Sequence, residues 1–408
     1  MQLGWIDYSR QERNTIKELL KILGEPSSVD ELGVGIVRDS ISDLLYPGTS
    51  VLHTRAKYYI LIPELFKKAM KSGLTSMGEV RKLIDADQDK IARALRRAID
   101  EETGTKASGI IGGRSDRAVK MKPARIYWNA LRKTEMLCHP DWSFDDACAS
   151  VANYNRKNQN TSIKYETDEA GGDAEDAVLS GFSLFNTPCK QNIDDYIANP
   201  TLHLTRDEAM YLMEQFKRPL IMKNSLIEYC LKNKLSYVET AFSDIEIQSN
   251  MPTVLSYNIE LAKEFADFIY GAYIVYNLLF FENGGENASE EQKQYLVNEY
   301  SEWRQQTCGI PHREEILKLV RNHEYYKAAL NKFLFDFEKA VMANNSDVCS
   351  DEEKILIRDR ERFCKKGKAK IGGNYPYQPI QSTPMNYRHS TGQVIIEDIL
   401  KGLERANG

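Results

Sequence analysis

Apolar residues recur along most of this chain at the three- and four-residue spacing that marks one face of a helix. The first stripe is Ile16, Leu19, Leu20 and Leu23. Ser9 and Glu12 precede it at capping-box spacing, and Gly24-Glu25-Pro26 closes it. A second helix is predicted from about Asp30 to Leu45, stopped by Pro47-Gly48. Thr49 or Ser50 is placed to cap a third, which carries Tyr58, Leu61, Leu65 and Phe66 toward Ser72-Gly73. Ile84, Ile91, Leu95 and Ile99 mark a helix over 76–103. The Gly-rich SGIIGGRS at 108–115 interrupts, and Pro123 suits the first turn of the next helix. Helix, short Gly-rich piece and helix are compatible with a winged-helix-like segment around 76–140.

From about 145 to 200 the pattern fades into polar stretches, NRKNQNTS and EAGGDAED, which predict a long loop or a domain junction. Helical periodicity returns at Thr205, which with Glu208 forms another capping box. It continues over about 223–233, 257–282, 289–306, 312–321, 324–343, 351–366 and, after a Pro- and Tyr-containing tail at 372–384, Val394–Leu403. Little alternates with period two. The predicted fold is mainly α and multi-domain. Its segments are 1–73, a basic region 74–145, the polar junction 146–200, a helical domain 201–345, and a C-terminal helix and tail 346–408.

Composition adds limits. The chain has 408 residues, 42% hydrophobic and 28% charged, with net charge −5, which fits a globular protein and names no partner. Seven Cys, none spaced as CxxC, argue against a zinc ribbon and a disulfide framework and fit a reducing compartment. The N-terminus has no apolar signal core. The run from Phe268 to Phe281 is shorter than the roughly 20 residues of a membrane span. A cytoplasmic protein is expected, with that run as a buried helix. Within it, Gly271-Ala272 allows a neighbouring helix close, and Asn277 requires polar partners.

The densest polar block lies between Val29 and Pro63. Asp39 and Asp43 fall one turn apart on one helix face, and Arg55 is placed to fold back onto that face. One reading is an anion or nucleotide site using Arg38, Thr49, Ser50, His53 and Arg55 at a helix N-terminus. The other is a structural Arg–Asp network of Arg38, Asp39, Asp43 and Arg55, with Thr49 and Ser50 as caps. Structural networks are the commoner outcome. A second candidate is electrostatic: from Arg81 to Lys133 there are fourteen Lys/Arg against seven Asp/Glu. Arg93, Arg96 and Arg97 belong to it. Arg114, Arg117, Lys120, Lys122, Arg125 and Arg132 are the residues assigned to nucleic-acid phosphates, with Tyr127, Trp128 and Asn129 beside them. The basic RDRERFCKKGKAK at 358–370 is a weaker third, explained by favourable cations at a helix C-terminus.

Catalytic templates are absent from the sequence: there is no HExxH, no GxSxG and no GxxxxGK[ST], and no cofactor is indicated. The acidic-basic string from Glu315 to Lys318 falls in a helical pattern, not on the strand that a nuclease core requires.

Several strings together resemble an uncharacterised bacterial family, domain of unknown function 6361. They are GWIDYS at 4–9, DELG at 30–33, RDSISDLLYPGTSVLHTRAKYY at 38–59, PARIYWNALRK at 123–133, TRDEAMYL at 205–212, YGAYIVYNLL at 270–279 and NYRHSTGQVIIEDILKGL at 386–403. The family pattern has Trp where this chain has His389. The resemblance implies an accessory component that accompanies helicase-like and phospholipase-D-like proteins in defence against foreign DNA, and it carries over no catalytic residue. The expected function is thus a nucleic-acid-binding subunit of an anti-phage assembly. The alternatives are an enzyme or sensor for a phosphate ligand at 38–55, and a helical scaffold for partner proteins.

Overall fold

A computed structural model describes residues 30–103, 109–112, 119, 121–167, 182–187, 192–283, 289–320, 324–373 and 375–405. The stripe at 16–23 and its Ser9–Glu12 cap lie outside the described residues. Fourteen α-helices form among the described residues: α1 Gly35–Leu45, α2 Tyr58–Lys71, α3 Met77–Thr103, α4 Pro123–Lys133, α5 Phe144–Thr167, α6 Ile193–Ala198, α7 Arg206–Lys217, α8 Leu226–Asn233, α9 Thr253–Asn283, α10 Glu290–Gln306, α11 Arg313–Leu319, α12 Glu324–Ala343, α13 Asp351–Lys365 and α14 His389–Glu404. The protein is mainly α. Among the described residues of 76–140 no strand forms. One isolated bridge joins Leu137 to Phe185, and residues 104–108, 113–118 and 120, which include part of the Gly-rich piece of the winged-helix-like reading, lie outside the described residues.

The chain divides into two compact units, Met1–Ser42 with Ser256–Tyr387, and Asp43–Leu255 with Arg388–Gly408. The first unit is organised by α9, whose Phe265, Phe268, Ile269, Val275 and Leu279 are buried. Three of its tyrosines end on carboxylates. Tyr270 donates to Glu299 at 2.6 Å, Tyr273 to Asp30 at 3.3 Å and Tyr276 to Glu361 at 2.7 Å. Glu361 is fully buried and also accepts from the Lys370 and Ile371 backbone N–H groups at 2.7 and 3.1 Å. Such bonds are what make an interior carboxylate tolerable. Asn277 finds the partners it requires in the carbonyl and N–H of Ile380. Gly271 seats the Trp303 indole of α10, because a Cβ there would come within 2.1 Å of the ring.

The second unit is built on α2, which is buried on nearly every side from Tyr58 to Phe66, as expected of a central helix. It packs against α3, α4, α5 and α6, while α14 lies on α7 and α8. Two expectations are corrected here. The polar junction over 145–200 is helical to Thr167. Phe144, Ala147, Cys148, Val151 and Ala152 supply a buried stripe, Ser143 and Asp146 bond reciprocally at its start, and the buried Asn155 donates to the Ala69 and Leu74 carbonyls. The third helix begins at Tyr58, not at Thr49 or Ser50. Lys57 occupies its N-cap without a side-chain capping bond, and residues 49–57 are irregular, with turns at 51–52 and 56–57. No described helix is long and apolar enough to cross a membrane.

Gly271→Ala is expected to lower stability by about 1–3 kcal/mol, the usual cost of overpacking. Gly367→Ala, where a Cβ meets nothing within 4 Å, should leave the urea midpoint unchanged. Equal midpoints for both variants would contradict the Gly271–Trp303 packing.

Candidate functional site

The polar block and the C-terminal helix meet in the second unit. Gly48, at φ +75°, makes the turn after Pro47 and lies against α4, where a Cβ would reach Lys133 and Ala130 at 2.9 and 3.2 Å. Thr49 Oγ1 donates to the Tyr46 carbonyl at 2.8 Å, and Ser50 Oγ accepts from Leu52 N–H at 3.3 Å. Both hydroxyls therefore serve the turn. Arg388 reaches this turn from the start of α14, donating to Asp43 at 2.7 Å and to the Thr49 carbonyl at 2.8 Å.

Tyr46 is fully buried and donates to His389 Nδ1 at 2.7 Å, while Gln393 donates to its hydroxyl at 3.0 Å. His389 Nε2 bonds the Thr240 carbonyl at 2.9 Å. That bond requires the proton on Nε2 and leaves Nδ1 as the acceptor. Burial lowers the His389 pKa, which favours the neutral ring that this assignment needs.

Arg55 is the strongest link. Its Nε and Nη2 donate to Asp398 at 2.7–3.0 Å, and the same carboxylate accepts from Ala56 N–H at 2.9 Å. The partner lies on α14, not on the Asp39–Asp43 helix face onto which Arg55 was expected to fold. Tyr127 of α4 completes this corner. Its hydroxyl accepts from the Thr54 and Arg55 N–H groups and donates to the Arg55 carbonyl. His53 stacks on Tyr127 at 4.0 Å and donates from Nε2 to the Ile126 carbonyl. Burial, with a smaller effect of the Arg388 guanidinium, pulls its pKa down to about 4.

Immediately after, Lys57 is 1% exposed and forms a buried ion pair with Glu208 at 2.6 and 2.8 Å. Its ammonium lies 4.4 Å from the centre of the Tyr196 ring, and Tyr196 donates to the same carboxylate. Glu208 is also the second partner of the Thr205 capping box. One carboxylate thus caps α7 and neutralises the N-cap residue of α2. Arg38 and Asp39 belong to the first unit, where they pair with each other at 3.1 Å on an exposed face.

The basic candidates divide differently. Arg114, Arg117 and Lys120 lie outside the described residues. Lys122 pairs with Asp89, and Arg132 donates to the Pro140 carbonyl. Arg125 sits 4.8 Å over the Phe144 ring and 4.0 Å from Asp85. Tyr127 and Trp128 are buried, and Asn129 is exposed. The outward cations are on α3. Val80, Ile84, Asp87, Gln88, Ile91 and Leu95 face inward, leaving Lys82, Lys90, Arg93 and Arg97 exposed, with Glu79 at the start of the row. At about 100° per residue these four cations fall within an arc of about 80° and span about 22 Å.

Arg388, Gln393 and Asp398 were not among the candidate site residues, and His389 stood out only where the family pattern has Trp. Their signal was polar residues recurring on the otherwise apolar, buried face of α14. Among the described residues no group of three or more His, Cys, Asp or Glu is placed to hold a metal ion. A small apolar cavity bordered by Tyr58, Leu61, Leu65 and Ile91 is too tight for anything larger than water.

Residues 1–146 match DUF6361, a family of unknown function. The strings at 205–212, 270–279 and 386–403 lie beyond that match. No curated protein and no solved structure matches the chain.

Arg55→Ala should destabilise the protein by on the order of 3 kcal/mol by leaving Asp398 without its cation, with Arg55→Lys intermediate because it lacks the planar fork. Urea midpoints check this; a loss below about 0.5 kcal/mol for Arg55→Ala would contradict it. A second prediction concerns pH. Between pH 6.5 and about 4 the unfolded chain takes up a proton at His53 that the folded chain refuses. Stability from this group is therefore complete above about pH 6.5 and falls toward pH 4 by on the order of 3 kcal/mol. Unfolding free energy plotted against pH should be flatter in His53→Phe than in the parent. Parallel curves would rule out the assignment.

Proposed function

We propose that this protein binds nucleic acid through a basic surface and serves as an accessory subunit of an anti-phage defence assembly, with helicase-like or phospholipase-D-like proteins as partners. The observation that carries the binding reading is the row Lys82, Lys90, Arg93 and Arg97 on the outward face of α3. Among the described residues no carboxylate forms an ion pair with Lys82, Arg93 or Arg97. Lys90 shares Asp87 with Lys68 but is half exposed, so its ammonium reaches solvent. Cations arranged in this way release counterions from a phosphate backbone, which gives affinity without requiring a fitted pocket. The role in defence rests on the family resemblance alone.

In this reading the 43–57 block supports the fold, and no catalytic step is assigned to it. Fluorescence anisotropy at low salt with a labelled oligonucleotide tests the proposal. Affinity should fall steeply with salt. Arg93→Gln/Arg97→Gln should weaken binding roughly tenfold and reduce the slope of log K against log salt by about two. Thermal stability should be unchanged, since exposed substitutions cost little. No binding by the parent protein at low salt would refute the reading.

A further inference from the structure

We infer that the nucleic acid held by α3 is a duplex, gripped by its phosphates without readout of base sequence; this rests on the nucleic-acid reading above. The inference comes from what surrounds the row as much as from the row itself.

Proteins that hold single strands combine a basic groove with exposed aromatic rings on which unpaired bases stack. Among the described residues of 77–146 the aromatic rings are otherwise committed. Tyr127 is fully buried with its hydroxyl engaged by Thr54 and Arg55. Trp128 and Phe144 are each 7% exposed, and the Trp128 indole donates to the Trp142 carbonyl at 2.9 Å. Trp142 is half-buried and stacks on His139 at 4.0 Å. Among the described residues of 77–146 no ring is left as a free stacking platform.

Base readout in a duplex groove requires a helix presenting several free polar side chains to base edges. The neighbouring α4 does not supply them. The Lys122 at its N-cap is engaged by Asp89, Arg125 lies over Phe144, and Arg132 is bonded to the Pro140 carbonyl. Asn129 is its exposed amide.

What remains is a line of charge on one helix. The row is convex, about 22 Å long, and fixed by the buried opposite face of a 27-residue helix. Duplex DNA is a stiff rod with one charge per roughly 1.7 Å of axis. A stiff row of cations meets a stiff row of phosphates with little ordering cost, whereas a flexible strand must be ordered along it. Duplex RNA offers the same phosphate chemistry, so the test includes both.

The test uses the full chain at low salt and compares two 20-base-pair DNA duplexes of unrelated sequence, the corresponding RNA duplex, and the separate strands. The inference predicts that the two DNA duplexes bind within about threefold of each other and at least about tenfold more tightly than either strand. The ratio between DNA and RNA duplexes identifies the source. Arg93→Gln/Arg97→Gln should lose duplex affinity for both sequences alike. Single strands bound as well as duplexes would overturn the duplex assignment, and a strong preference for one sequence would overturn readout by phosphates alone. In both cases nucleic-acid binding itself would stand. Absence of binding to every probe would end both readings.

Discussion

The Asp398 carboxylate is the constraint on which the arrangement of the second unit depends. It accepts from Nε and Nη2 along one edge of the Arg55 guanidinium and from the Ala56 N–H. It thereby fixes the last turn before α2, the central helix. A carboxylate largely removed from water is costly unless it is paired and fully bonded. Here the pairing requires α14 and the 54–56 turn to be in one place at once. Arg388 on Asp43, His389 and Gln393 on Tyr46, and Asp398 on Arg55 are three contacts made from one stretch of chain onto one polar block. Lys57 with Glu208 extends the same logic to α7 one residue further on.

This arrangement separates two tasks that the sequence placed side by side. The block with the densest functional-looking residues spends them on its own turns and on α14. The surface proposed for phosphates lies on α3, where the inward side chains are apolar or hydrogen-bonded and Lys82, Lys90, Arg93 and Arg97 are exposed, with Glu79 at the start of the row. α3 is held by α2, α5 and α6, so the anchoring of α2 and the presentation of the basic row are linked through packing.

Much of the helical content was legible because its signals are local. Thr205 with Glu208 forms the capping box that its spacing implies; the box of Ser289 with Gln292 starts a helix that periodicity alone had marked, and Ser350 caps α13. Gly271 admits Trp303, as a small residue in an apolar helix suggests. The hidden features are those decided by distant partners. Arg55 and Asp398 are 343 residues apart, and periodicity carries no information on such a pair. The count of Lys and Arg over 81–133 marked the basic region. It could not say that Asp89 and the Pro140 carbonyl would engage Lys122 and Arg132 while Arg93 and Arg97 stayed exposed. The helix α5 was obscured because its polar outer face dominates its composition, although five buried positions at helical spacing were present near its start.

The most direct measurement of the central claim is a double-mutant cycle between Arg55 and Asp398, using Arg55→Ala, Asp398→Ala and the double variant in urea unfolding. If this pair joins the polar block to α14, each single variant is strongly destabilised and the double variant loses much less than their sum. The coupling should be about 1.5 kcal/mol or more. Additive losses, with a coupling within about 0.3 kcal/mol of zero, would show that the two residues act independently and would contradict the account.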